Sequence, residues 1–91
     1  MAGVALGFIE TRGNSGSIIA IDAMLKTAHV DLMKKVEIGG GFVTAVVKGE
    51  VGAVKSAVEA GAEAAAKISE LVSANVIPSV HADVRNLIGI K

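Results

Sequence analysis

Apolar positions along the chain switch between a spacing of two and a spacing of three to four, and the switches delimit the elements. Val4, Leu6 and Phe8 alternate with other residues up to Glu10, which predicts a first strand. Arg12 to Gly16 is a turn rich in Gly, Asn and Ser, where Ser15 or Ser17 can cap the next element by accepting a hydrogen bond from a free helix N–H. Ser17 to Ala28 reads as a helix, with Ile18, Ile21, Leu25 and Ala28 on one apolar face. A spacing of two returns at Val30, Leu32, Val36 and Ile38, interrupted at Lys34, and predicts a second strand. Gly39, Gly40 and Gly41 break it with residues that meet no steric bar to positive φ. Phe42 to Lys48 is nearly all apolar and reads as a third strand buried on both faces. Gly49 ends it, and Glu50 opens the longest helix, where a carboxylate suits the helix dipole. Val51, Val54, Val58, Ala62, Ala65, Ile68 and Val72 recur there at helical spacing. Val72 to Ile77 reads as a fourth strand that Pro78 stops, and His81 to Leu87 as a short terminal helix.

The order strand–helix–strand–strand–helix–strand predicts an α/β (α+β) subunit of the ferredoxin-like, split βαβ kind. Its expected form is one four-stranded antiparallel sheet with both long helices on one face, plus the short C-terminal helix. No linker, low-complexity tract or internal repeat interrupts the pattern, so residues 1–91 read as a single domain. Gly61 falls inside the longest helix, where it costs up to ~1 kcal/mol relative to Ala. Its thin neighbours Ala60 and Ala62 favour a close approach of another backbone at this point. Lys55, Glu59, Glu63 and Lys67 line up at i, i+4 spacing as a solvated charged stripe.

Composition adds a pressure toward association. The chain has 91 residues, 52% of them hydrophobic, and a mean hydropathy of +0.60. A domain of this size buries only roughly 60–65% of its unfolded surface when alone. Apolar surface in excess of one core is buried against partners, so an oligomer is expected, with a tight Val/Ala-rich monomer as the competing reading. Nine basic and nine acidic residues cancel, and no basic stripe is present, which argues against a duplex nucleic-acid partner. Two Phe and no Trp or Tyr leave no stacking platform for single strands. No apolar run approaches the about 18 residues of a membrane span, and no secretion signal opens the chain. The expectation is a soluble, cytoplasmic, self-associating domain.

Candidate chemistry is sparse. Without cysteine there is no disulfide and no thiolate metal site. His29 stands at a helix end and His81 follows Pro78, and neither lies near a Gly-x-Ser-x-Gly elbow, which is absent. No metal-ligand spacing is found. No catalytic residue, cofactor or metal is therefore expected, and the chain is read as not an enzyme. Gly39-Gly40-Gly41 opens no helix and lacks both the dinucleotide fingerprint and a following Gly-Lys-Ser/Thr. It is either a hairpin turn or a loop that presents backbone N–H groups to a ligand or an opening.

At these residues the chain resembles the hexameric shell proteins of bacterial microcompartments. Ala5-Leu6-Gly7-Phe8-Ile9-Glu10-Thr11-Arg12-Gly13 looks like their opening strand and turn, and Asp22-Ala23-Met24-Leu25-Lys26-Thr27-Ala28 is similar to their first helix. Ile38-Gly39-Gly40-Gly41 followed by Val43-Thr44 resembles their pore loop. Lys48-Gly49-Glu50-Val51-Gly52-Ala53-Val54 and Val76-Ile77-Pro78 complete a match running from about Ala5 to Leu87. The propanediol- and ethanolamine-utilisation types are nearest in pattern, with carboxysome shell proteins next. The resemblance implies a homohexamer that tiles a shell in the bacterial cytoplasm with neighbouring hexamers and other shell proteins, around encapsulated enzymes. It implies a central pore for polar metabolites bordered by Glu37, Ile38, Gly39, Gly40 and Gly41. Six Glu37 carboxylates would oppose any anion preference from the inward N–H groups. It also implies an inter-hexamer edge at Lys26, His29 and Ser79. Ser79 departs from the basic residue that relatives usually carry, Val80 replaces a common Pro, and His29 stands where Asn or another polar residue is common. Two other classes compete: a ferredoxin-like small-molecule-binding regulator, and a small acyl-phosphate hydrolase, for which Arg12 and Arg85 lie in no suitable anion loop.

Overall fold

The computed structural model describes residues 4–80, together with Leu87 and Gly89. In chain order the elements are β1 (Val4–Arg12), α1 (Asn14–Thr27), β2 (Asp31–Gly39), β3 (Phe42–Gly49), α2 (Val51–Lys67) and β4 (Leu71–Val80). The strands form one four-stranded sheet in the order β2-β3-β1-β4, and every pairing is antiparallel. This is the mixed α/β architecture expected. The terminal helix expected at His81–Leu87 lies almost wholly outside the described residues.

The two central strands carry the core because both their faces are covered. On one face Ala5, Ile9, Ala45 and Val47 pack with Ala20 and Met24 of α1 and with Val54, Ala57, Val58 and Ala65 of α2. On the other face Leu6 and Val46 are buried, with Phe8 and Met33 packed against them. β3 is therefore buried on both faces, as its continuous apolar run predicts.

The helices depart from expectation in an instructive way. α1 begins at Asn14 with Gly13 at its N-cap and no side-chain cap, so neither Ser15 nor Ser17 caps it. Ser17 is instead buried inside the helix, and its hydroxyl has no hydrogen-bond partner among the described residues. The buried side of α1 is Gly16, Ser17, Ala20 and Met24, with Ile21 and Ala28 partly packed. Ile18 and Leu25, expected on the core face, are 53% and 45% exposed. Small residues take the core side because α1 lies close against α2. A Cβ built on Gly61 would stand 3.2 Å from the Ala20 carbonyl oxygen, 2.6 Å from Ile9 Cδ1 and 2.8 Å from Met24 Cγ. Gly61 is thus the site of close approach that its thin neighbours suggest. Gly61→Ala is expected to lower stability by about 1–3 kcal/mol through overpacking, despite the gain in helix propensity. Thermal unfolding at fixed protein concentration checks this; a raised midpoint would show that α1 gives way.

α2 ends at Lys67, so Ile68 and Val72, expected as its last periodic positions, lie beyond it. The Lys55, Glu59, Glu63, Lys67 stripe is exposed, as expected, and contains one ion pair, Lys67 Nζ to Glu63 Oε1 at 3.6 Å. β4 runs through Pro78 to Val80 instead of stopping there. β4 is an edge strand, and an edge tolerates a residue that cannot donate on its open side. β2 is the other edge. Its pairing jumps from Leu32↔Val47 to Lys34↔Val46, a bulge that explains why Lys34 interrupts the alternation.

Candidate functional site

The β2–β3 hairpin closes on Gly40 and Gly41, with Gly39 paired to Phe42 across its base. Gly39, Gly40 and Gly41 have φ of 94°, 64° and 83°. Positive φ at both central residues is what a tight hairpin matching the strand twist demands, and glycine meets it without Cβ strain. Nothing lies within 4 Å of a Cβ built on Gly39 or Gly41, so backbone conformation, not crowding, selects glycine there.

The hairpin is tied to the turn between β1 and α1. Gly13 N–H donates to the Gly41 carbonyl at 2.6 Å. Gly13 itself has φ of 86°, and its own carbonyl accepts from the buried Thr11 hydroxyl at 3.2 Å. Arg12 N–H donates to the Glu70 carbonyl at 2.8 Å, which joins the start of β4 to the same turn. Between hairpin and turn lies an open recess of about 180 Å³, lined by Gly13, Asn14, Glu37, Gly39, Gly41, Phe42 and Val43. A second hollow of about 260 Å³ lies between the helices, at Thr27, Ser56, Glu59, Ala60 and Glu63. Both fall below the about 300 Å³ at which small-molecule pockets begin.

The second residue set of interest sits elsewhere. Lys26, in the last turn of α1, pairs with Asp22 one turn earlier, Nζ to Oδ2 at 3.0 Å, both side chains well exposed. His29 is exposed just past the helix, and Ser79 is exposed on β4. The register fixes where these lie. Arg12 pairs with Phe42 at the hairpin end of the sheet. Val4 pairs with Val80, and Asp31 with Lys48, at the other. Lys26, His29 and Ser79 therefore lie toward the end of the sheet opposite the glycine hairpin, with His29 beside edge strand β2 and Ser79 on the opposite edge strand, β4. Glu37, Gly39 and Gly41 are brought together at the recess, while Ile38, the residue between them, does not line it. Val43 had entered only through the resemblance to a pore loop, and Gly13, Asn14 and Phe42 were not legible as part of this site. The Arg-Gly-Asn turn was its only sequence trace. Among the described residues no group of three or more His, Asp or Glu side chains could hold a metal ion, and no helix is long and apolar enough to cross a membrane.

A thin sheet-and-helix subunit with a glycine hairpin at one end and a basic helix terminus at the other has known relatives. Residues 5–80 match the family model described as the BMC domain. The chain is 53% identical over 89 residues to the bacterial microcompartment shell protein EutM of Escherichia coli, covering 96% of this chain and 92% of that protein. It is 48% identical over 89 residues to the major carboxysome shell protein of Halothiobacillus neapolitanus, covering 97% and 91%. It is 48% identical over 84 residues to the shell protein PduA of Salmonella typhimurium, covering 92% and 89%. Among solved structures, a microcompartments protein from Desulfitobacterium hafniense superposes with a TM-score of 0.87 at 32% identity, over 99% of this chain and 49% of that one. The chain thus spans about half of that larger protein. It belongs to the BMC-domain family, the shell proteins of bacterial microcompartments, whose members matched here are shell components and not enzymes.

Proposed function

We propose that six copies of this subunit close into a flat ring around their glycine hairpins, and that such rings tile a facet of a microcompartment shell in the bacterial cytoplasm. The observation that carries the reading is the placement of the two residue sets at opposite ends of one sheet, in a body of 38 × 27 × 15 Å. A ring of elongated subunits needs one end at the axis and the other at the rim. The hairpin, with Glu37 to Gly41, suits the axis, because main chain without Cβ atoms leaves an opening for polar metabolites. Lys26, His29 and Ser79 suit the rim, where neighbouring hexamers and other shell proteins meet.

Two further features support the reading. Ile18, Leu25, Leu32, Ile38 and Ile77 are all more than a third exposed on the isolated subunit, an apolar excess that association would bury. The element order and the placement of both helices on one face support reading the fold as the ferredoxin-like split βαβ kind. In this reading the shell encloses enzymes of a pathway, and the subunit's part is structural. Native mass measurement of the purified protein tests it directly. A sixfold mass supports the ring, whereas a monomer or a dimer would remove it.

A further inference from the structure

The hairpin carries both halves of a contact between copies. A closed ring is built from head-to-tail interfaces, so each subunit must present two different, mutually complementary surfaces. One is the recess beneath the hairpin, about 180 Å³, walled by Phe42 and Val43 and by glycines that leave it open. The other is Ile38. Across the base of the hairpin Glu37 pairs with Val43 and Gly39 with Phe42, which leaves Ile38 as the unpaired residue of a bulge. A bulge re-aims the side chain it carries. Here Glu37 and Gly39, on either side, line the recess, while Ile38 does not and stands 56% exposed. A large aliphatic side chain is thus turned away from the hollow of its own subunit, at the end of the sheet where that hollow opens.

We infer that Ile38 of each subunit seats in the recess of the next copy around the ring, between Asn14 and Phe42 of that neighbour. The inference rests on the ring proposed above and specifies how its inner contact is made. Burying an aliphatic side chain of this size contributes about 1.5–3 kcal/mol, repeated at every interface.

The chain contains no cysteine, so introduced thiols report unambiguously. In the double variant Ile38→Cys/Asn14→Cys, a short thiol-specific cross-linker is expected to produce a ladder from dimer to hexamer on a non-reducing gel. Each single variant, with one thiol per subunit, can give no species beyond a dimer. Absence of the ladder from a protein whose native mass is sixfold would overturn the socket while leaving the ring intact. A wild-type protein that is not sixfold would remove the ring and the socket with it. Ile38→Asp gives an independent measure: loss of the hexamer by native mass with unchanged far-ultraviolet circular dichroism is expected, with Ile38→Leu keeping it. Hexamers of undiminished stability in Ile38→Asp would refute the contact.

Discussion

Gly7→Val is expected to remove a large part of the folding stability, although Gly7 lies in a strand and the replacement is a better strand former. Gly7 sits in the middle of β1, paired with Val47 on one side and Val76 on the other. A Cβ built on it would overlap Val58 Cγ2 and stand 2.9 Å from Val54 Cγ1 and 3.1 Å from Val47 Cγ2. All three are buried, and β-branched side chains have little χ1 freedom with which to yield. The only relief is for α2 to lift off the sheet, which would open the main core. The cost is about 3 kcal/mol or more, a large part of the 5–15 kcal/mol that holds a typical domain together. Gly7→Ala meets the same contacts with less bulk and is expected to lose about 1–3 kcal/mol. Urea unfolding followed by circular dichroism measures both. A Gly7→Val protein with the wild-type midpoint would show that α2 is not held where the contacts put it.

Lys26→Ala is expected to abolish extended sheets in electron micrographs while hexamers persist by native mass. The separation of effects follows from the side chain's surroundings. Its partner among the described residues is Asp22, in an exposed i, i+4 pair that contributes no more than a few tenths of a kcal/mol. Removing it leaves the fold and the ring alone. What is lost is a long apolar stem with a cation at its tip, suited to lying along a neighbouring edge and donating to carbonyls there. In the proposed tiling Ser79 supplies no cation to that edge, so the contact is either weaker or left to Lys26, and one substitution is expected to suffice. Normal sheets from Lys26→Ala would defeat the edge assignment. Loss of hexamers would move Lys26 into the ring interface.

The strand and helix order was legible because each element has its own apolar period and a glycine or a charged residue at its boundary. The hairpin was legible because three successive glycines between two strands supply, without steric cost, the positive φ that a tight reversal needs. The buried side of α1 was not. Ile18, Ile21 and Leu25 look like a core stripe, yet Gly16, Ser17, Ala20 and Met24 hold the centre of the buried side, Ile21 packs at its margin, and Ile18 and Leu25 are left exposed. Apolar residues occur nearly all round this helix, so periodicity alone cannot choose a face. The choice falls to the surface with the least bulk, because α1 packs against α2 at Gly61. Ser17 pays for this arrangement with a hydroxyl that has no partner among the described residues. The continuation of β4 through Pro78 was equally hidden, since whether proline stops a strand depends on whether its missing N–H faces a neighbour or the open edge.

By itself, the sequence determined the element order, the two-sided burial of β3, the close approach at Gly61 and the sharp glycine reversal, all of which follow from side-chain size and period. Only the tertiary structure decided which face of α1 is left exposed. It alone set the hairpin and the Lys26 end at opposite limits of the sheet, and turned Ile38 away from a recess that its neighbours in sequence line. These depend on strand register and on one bulge, and register is fixed by contacts between residues distant in sequence, which no local pattern records.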